Sequence, residues 1–180
     1  MLIRISRPAD DLLLGLWRIP VPSERGQKRT LEKEAECALL KEMLGGEAPE
    51  IRHNADGAPL IDGYHISISH TRGYLAILLS KRSRVGVDIE YRSDRVQRIA
   101  SHFLRPDERP STVDETLLHW CVKEAVYKLR SEAHLTHEQM RVRLAQSSVD
   151  DLLAGDTIPF SHEMTPNYLL VWVRESLLSD

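Results

Sequence analysis

The run Val85-Gly86-Val87-Asp88-Ile89-Glu90 places two carboxylates two residues apart. In an extended strand, side chains alternate. Asp88 and Glu90 therefore share one face, and Val87 and Ile89 share the other. Carboxylates side by side repel unless water, cations or a metal ion offset the charge. Gly86 leaves room for a backbone or a ligand to approach closely. The same pattern also suits an edge strand with a polar outer face. A second run, Trp120-Cys121-Val122-Lys123-Glu124-Ala125-Val126-Tyr127-Lys128, reads as helix. There Glu124 and Lys128 lie on one face, and Lys123 stands about 100° round from Glu124. Alone this is a surface Glu–Lys pair. Leu117, Leu118, Cys121 and Ala125 bury one side of the helix and bring Glu124 to the boundary that a metal or substrate reaches. A third run, Ile66-Ser67-Ile68-Ser69-His70-Thr71, supplies donors at a strand end. Ser69, His70 and Thr71 suit a phosphate, or simply a turn.

Several elements must position these groups. Leu2–Ser6 and Leu12–Ile19 read as strands, the second ending at the Pro20/Pro22 pair. Ser23 or Thr30 is placed to cap a helix over residues 31–44, in which Leu31, Ala35, Ala38, Leu39 and Met43 recur at helical spacing. Gly45-Gly46 stops it. Residues 51–63 are rich in turn formers. Strands follow at 66–70, 74–80 and 85–91. The polar Lys81-Arg82-Ser83 link predicts a hairpin between the last two. Asp94 caps a helix to about Leu104, and Asp114 or Thr116 opens a longer one. Residues 141–144 and 167–173 read as strands. The order predicts an α+β chain of two similar small lobes.

Composition narrows the function classes. The chain has 180 residues with 24 Lys+Arg against 27 Asp+Glu, a net charge of −3, which argues against a dedicated nucleic-acid binder. No apolar run is long enough to cross a bilayer. Asp10 and Asp11 interrupt the early apolar stretch, so no signal peptide is expected. Cys37 and Cys121 cannot form a disulfide framework and fit a reducing cytoplasm. Both fall on apolar helix faces and are expected to be small buried hydrophobes. His134 and His137 have no zinc-ligand spacing around them.

In order, Asp56-Gly57-Ala58-Pro59, Ser67-Ile68-Ser69-His70, Gly86-Val87-Asp88-Ile89-Glu90 and Trp120-Cys121-Val122-Lys123-Glu124-Ala125 resemble the motifs of the 4′-phosphopantetheinyl transferase superfamily, in its single-chain form. The likeness spans Asp56 to Lys128, and Phe103-Leu104-Arg105-Pro106-Asp107-Glu108 is similar to the segment between the last two motifs. The resemblance implies an α+β fold of two lobes packed as a pseudo-dimer, residues 1–84 and 85–180, with the metal and catalytic residues in the second. It implies transfer of the phosphopantetheine arm of coenzyme A to a serine of an apo acyl or peptidyl carrier protein, with Mg²⁺ as cofactor and adenosine 3′,5′-bisphosphate released. Asp88, Glu90 and Glu124 correspond to the metal-holding positions. Asp88, Glu124 and Lys128 correspond to the catalytic ones, with Glu124 as base for the serine and Lys128 neutralising the pyrophosphate. Ser69 and His70 correspond to contacts with the 3′-phosphate, and Arg25 and Lys28 lie where basic residues meet coenzyme A. A cytoplasmic monomer that needs neither nucleic acid nor membrane follows. Two positions depart from the pattern: Ala58 stands where a basic residue is common, and Cys37 where Arg is usual. A non-catalytic relative that only binds carrier proteins is the alternative reading.

Overall fold

The computed structural model describes residues 1–22 and 26–175. In chain order the elements are β1 (Leu2–Ala9), β2 (Leu12–Arg18), α1 (Gln27–Leu44), β3 (Arg52–His53), β4 (Pro59–Leu60), β5 (His65–Thr71), β6 (Tyr74–Ser80) and β7 (Val85–Tyr91). A 3-10 turn at Asp94–Ile99 leads into α2 (Ala100–Phe103). Then come α3 (Val113–Leu129), β8 (Met140–Arg143), β9 (Ser148–Asp151), β10 (Asp156–Met164) and β11 (Tyr168–Arg174). One sheet has the order β1-β2-β6-β5 and the other β7-β11-β10-β9-β8. The α+β class read from the sequence holds. No helix among the described residues is long and apolar enough to cross a membrane.

Strand β6 shows why the chain folds into stacked layers. All seven of its residues are buried, because alternate side chains enter two different cores. Leu75, Ile77 and Leu79 pack with Leu39, Leu40 and Met43 of α1. Tyr74, Ala76 and Leu78 pack with Val85, Val87 and Ile89 of β7 and with Leu170 of β11. The two sheets thus share a core, and α1 covers the outer face of the first. Helix α3 covers the outer face of the second, where Cys121, Val122 and Ala125 meet Leu169, Val171 and Val173. Ile77 and Leu79 are fully buried, and each such side chain contributes on the order of 2 kcal/mol.

The predicted hairpin across Lys81-Arg82-Ser83 does not form. Strand β6 is already flanked by β2 and β5, so it offers no free edge to β7. The Ser80 hydroxyl accepts the N–H groups of Arg82 and Ser83 and turns the chain into the second sheet. Helix α1 starts earlier than expected, at Gln27, so Thr30 lies inside it, while Ser23 lies outside the described residues. It ends as predicted, with Gly45 at φ 69° donating its N–H to Lys41 O. Helix α3 is capped by Thr112, not by Asp114 or Thr116: Thr112 Oγ1 accepts from Glu115 N at 3.1 Å. The helix expected from Asp94 is mostly a 3-10 turn with one α turn after it. Strands β9 and β10 were not predicted. Cys121 is buried as expected, but Cys37 faces solvent.

The sheets meet along β5 and β7, which are the edge strands of their respective sheets. The outer N–H groups of β7 would be orphaned there. Hydroxyls of β5 accept them instead: Val87 N donates to Ser67 Oγ at 3.0 Å, Ile89 N to Ser69 Oγ at 3.2 Å and Tyr91 N to Thr71 Oγ1 at 3.1 Å. The Ser-x-Ser-x-Thr alternation of β5 is thus a side-chain ladder that joins the sheets. Ser67 is 2% exposed. Replacing it by Ala leaves the Val87 N–H buried without a partner and lowers unfolding stability by about 1–3 kcal/mol. Urea denaturation checks this, and a midpoint equal to that of the unmodified chain would refute the ladder.

Candidate functional site

The face of β7 that carries Gly86, Asp88 and Glu90 turns toward α3. Gly86 allows this approach: a Cβ at that position would overlap the Ala125 carbonyl oxygen. Trp120, Glu124 and Lys128 lie four residues apart along one stripe of the helix, and with the helix this close Trp120 and Lys128 reach the carboxylate pair. Lys128 Nζ donates to Asp88 Oδ1 at 2.8 Å and to Val87 O at 3.1 Å. Trp120 Nε1 donates to Glu90 Oε1 at 3.2 Å. From the other side Ser69 Oγ donates to Asp88 Oδ1 at 2.8 Å and Thr71 Oγ1 to Glu90 Oε2 at 3.0 Å. Both sheets and α3 therefore fix this carboxylate pair.

The electrostatics of the pair are unbalanced. Asp88 is 4% exposed, and its Oδ2 is buried without a hydrogen-bond partner. Burial, and then the neighbouring Asp88, push Glu90 above the usual carboxylate range, against the Trp120, Thr71 and Lys128 contacts. Two hard oxygen donors, one with a free buried oxygen, suit a divalent cation that completes its shell with phosphate and water. Among the described residues no three His, Cys, Asp or Glu side chains converge as a ready-made metal cluster. Glu124 is directed elsewhere: its Oε1 is 3.5 Å from His137 Nε2, and it lines a separate groove of about 580 Å³ with His102, Tyr127 and Leu135.

Glu90 lines a larger cleft of about 620 Å³, together with Trp120, Lys28, His70, Arg72 and Arg95. Its floor is apolar at Val96, Ile99 and Leu117. Lys28, His70, Arg72 and Arg95 outnumber the two carboxylates that line the cleft, Glu32 and Glu90, which suits a polyanion with a nonpolar portion. His70 reaches this cleft, with Nε2 2.7 Å from Glu36 Oε1, although not aligned as a hydrogen bond. Lys28 reaches it from the first turn of α1, 3.6 Å from Glu32. Ser69 does not line it; its hydroxyl serves the seam and Asp88. Arg25 lies outside the described residues. Ala58 sits in a turn in which its own N–H and that of Asp56 donate to Asn54 Oδ1.

Reading the sequence missed several residues that the fold brings to this region. Arg72, whose guanidinium carbon is 5.8 Å from the centre of the Tyr91 ring, and Arg95 join the cleft. The one signal for Arg72 was its place in the turn directly after the Ser-His-Thr strand end. Lys123 faces away from the cleft. Its ammonium is fully buried and donates to Glu108 Oε2 at 2.6 Å, Phe103 O at 2.7 Å and His137 O at 3.1 Å. Burial lowers its pKa, and Glu108 opposes that shift. Glu108 also accepts Val142 N–H and Arg105 N–H, so one carboxylate ties the loop after α2 to α3 and β8.

Residues 84–164, a little under half of the chain, match the family model of the 4′-phosphopantetheinyl transferase superfamily. The matched segment contains Asp88, Glu90, Glu124 and Lys128, and so covers β7 and α3 with the carboxylate pair between them. No curated protein matches the chain.

Proposed function

We propose that this chain, whose residues 84–164 are a domain of the 4′-phosphopantetheinyl transferase superfamily, transfers the phosphopantetheine arm of coenzyme A to a serine of an apo acyl or peptidyl carrier protein. The observation that carries the reading is the Asp88–Glu90 pair, in which Asp88 is buried and Glu90, half-buried, forms one wall of a cleft with a basic rim. The serine oxygen attacks the β-phosphorus of the coenzyme A pyrophosphate. A new O–P bond forms, the bond from that phosphorus to the bridging oxygen breaks, and adenosine 3′,5′-bisphosphate leaves with the electron pair. The serine proton passes to the Glu124 carboxylate.

Asp88 and Glu90 would hold Mg²⁺, which when bound neutralises pyrophosphate charge. The remaining work falls to the chain's own side chains. Lys128, held by Val87 O and Asp88, keeps a positive charge beside the pair and offsets charge that develops on the phosphates. Ser69 and Thr71 position Asp88 and Glu90 by donating to them. His70, Lys28, Arg72 and Arg95 bind the phosphates, and the apolar floor receives the adenine. Residues 1–84 and 85–180 act as two lobes with the site at their seam, in a cytoplasmic monomer.

Arg72→Ala removes one charge-assisted contact from the rim. It is expected to raise KM for coenzyme A by about 10- to 100-fold with little change in kcat. Isothermal titration tests the reading of the cleft. Coenzyme A binds in the presence of Mg²⁺ and more weakly to the Arg72→Ala chain. A flat titration at saturating Mg²⁺ would count against the cleft as the coenzyme A site.

A further inference from the structure

We infer that Glu36 is a specificity-determining residue of the cleft: it competes for His70 with the 3′-phosphate of the donor, so that the chain distinguishes little between coenzyme A and its 3′-dephospho form. The inference rests on the coenzyme A reading above and deepens it. Coenzyme A carries two separate phosphate groups, and on that reading its pyrophosphate belongs at the Asp88–Glu90 pair. The alternation of β5 separates the two. Ser69 and Thr71 point to the carboxylate pair, where their hydroxyls donate to Asp88 and Glu90. His70, between them, points the other way, toward α1. A phosphate at His70 is therefore the second one, the 3′-monoester.

Helix α1 meets that position with the wrong charge for an anion. Lys28, Glu32 and Glu36 follow one another at four-residue spacing along one face of the helix. Lys28 Nζ lies 3.6 Å from Glu32, which draws the one cation of this face back onto it. Glu36 Oε1 lies 2.7 Å from His70 Nε2. That nitrogen is buried and makes no aligned hydrogen bond, so the carboxylate occupies the approach to it without saturating it. Glu36 does not swing clear freely. Its side chain is 17% exposed, and Ala35, Leu39 and Leu40 fix the helix beside it in the core with Leu75 and Ile77. A 3′-phosphate thus gains His70 only by displacing a carboxylate, a repulsive element of the kind that sets specificity. Arg72, near the Tyr91 ring, and Arg95 also line the cleft, with Val96, Ile99 and Leu117 as its floor. Both forms of the donor share the pyrophosphate and the adenosine and gain equally from these residues.

Isothermal titration with Mg²⁺ present compares coenzyme A and 3′-dephospho-coenzyme A on four chains: unmodified, Glu36→Gln, His70→Ala and the double variant. The unmodified chain is expected to bind the two ligands within about threefold of each other, because displacing Glu36 offsets the charge-assisted contact that the phosphate makes. Glu36→Gln is expected to bind coenzyme A about tenfold more tightly, with less than about a twofold change for the 3′-dephospho form. In the double variant the gain disappears, since His70 carries it. An unmodified chain that already prefers coenzyme A by about tenfold or more overturns the inference without any variant having to fold. So does a Glu36→Gln chain that gains equally for both ligands, or that keeps its gain without His70, because either result makes Glu36 a distant charge in the field of the cleft. Binding of neither ligand by any of the four chains overturns the coenzyme A reading itself, and this inference with it.

Discussion

Replacing Asp88 by Asn is expected to lower the rate of arm transfer by about 100- to 1000-fold while leaving the fold intact. The two halves of this expectation come from different oxygens of one side chain. Oδ1 accepts from Lys128 and from Ser69, and an amide oxygen accepts from both. Oδ2 is the buried oxygen without a partner, and it is the one that the amide nitrogen replaces. The variant therefore keeps the contacts that join β5, β7 and α3 and removes the charge on which the pair depends. The structural cost is that of one buried amide group, at most about 1–3 kcal/mol. Single-turnover transfer and a thermal melt on the same preparation check both halves. A transfer rate within tenfold of that of the unmodified chain would remove Asp88 from the site.

The largest stability effect is expected at Lys123. Its ammonium has no exposure to water and is held by one carboxylate and two carbonyls. Lys123→Ala leaves Glu108 as an unpaired buried charge and strips a donor from Phe103 O and His137 O. Breaking such a pair costs about 3–5 kcal/mol, or roughly 6–20 °C in Tm for a chain of this length. Lys123→Met keeps most of the side-chain volume but not the charge, and is expected to be nearly as destabilising as Ala. Calorimetry separates the two explanations. A Met variant as stable as the unmodified chain would mean that the stem, not the ion pair, holds the loop after α2.

The elements nearest the site were the ones most legible in the sequence. Strands β5, β6 and β7 and helices α1 and α3 carry clear periodicities, because each has one face or both in a core. The α+β class and the pairing of Asp88 with Glu90 on one strand face followed from that. What failed depends on partners distant in sequence. A short polar link ordinarily signals a hairpin, but here both edges of β6 are already taken. Strand β10 changes partner midway, from β9 at 156–159 to β11 at 160–164, with Pro159 near the switch, so it reads as two short irregular pieces. The sequence offers Ser69, His70 and Thr71 as phosphate donors, and it does not single out the Ser-x-Ser-x-Thr alternation of β5. Its use as a ladder for the β7 edge needs the second sheet in view. Lys123 sits beside Glu124 in the sequence, yet the roughly 100° between neighbours on a helix sends one to a buried carboxylate and the other to an open groove. Arg72, Arg95 and His137 carry no motif of their own; only the packing of the two sheets brings them to the site.

On the proposed function, the Asp88–Glu90 pair and the cleft beside it move the arm of coenzyme A onto a protein serine. The most direct measurement is the intact mass of apo carrier proteins, acyl and peptidyl, after incubation with the chain, coenzyme A and Mg²⁺, with Asp88→Asn run in parallel. At least one carrier is expected to gain one phosphopantetheine arm on its serine, with adenosine 3′,5′-bisphosphate in equal amount, and the Asp88→Asn reaction to show neither. Unchanged mass across the carriers while coenzyme A binds in the cleft, or equal modification by Asp88→Asn, would contradict it.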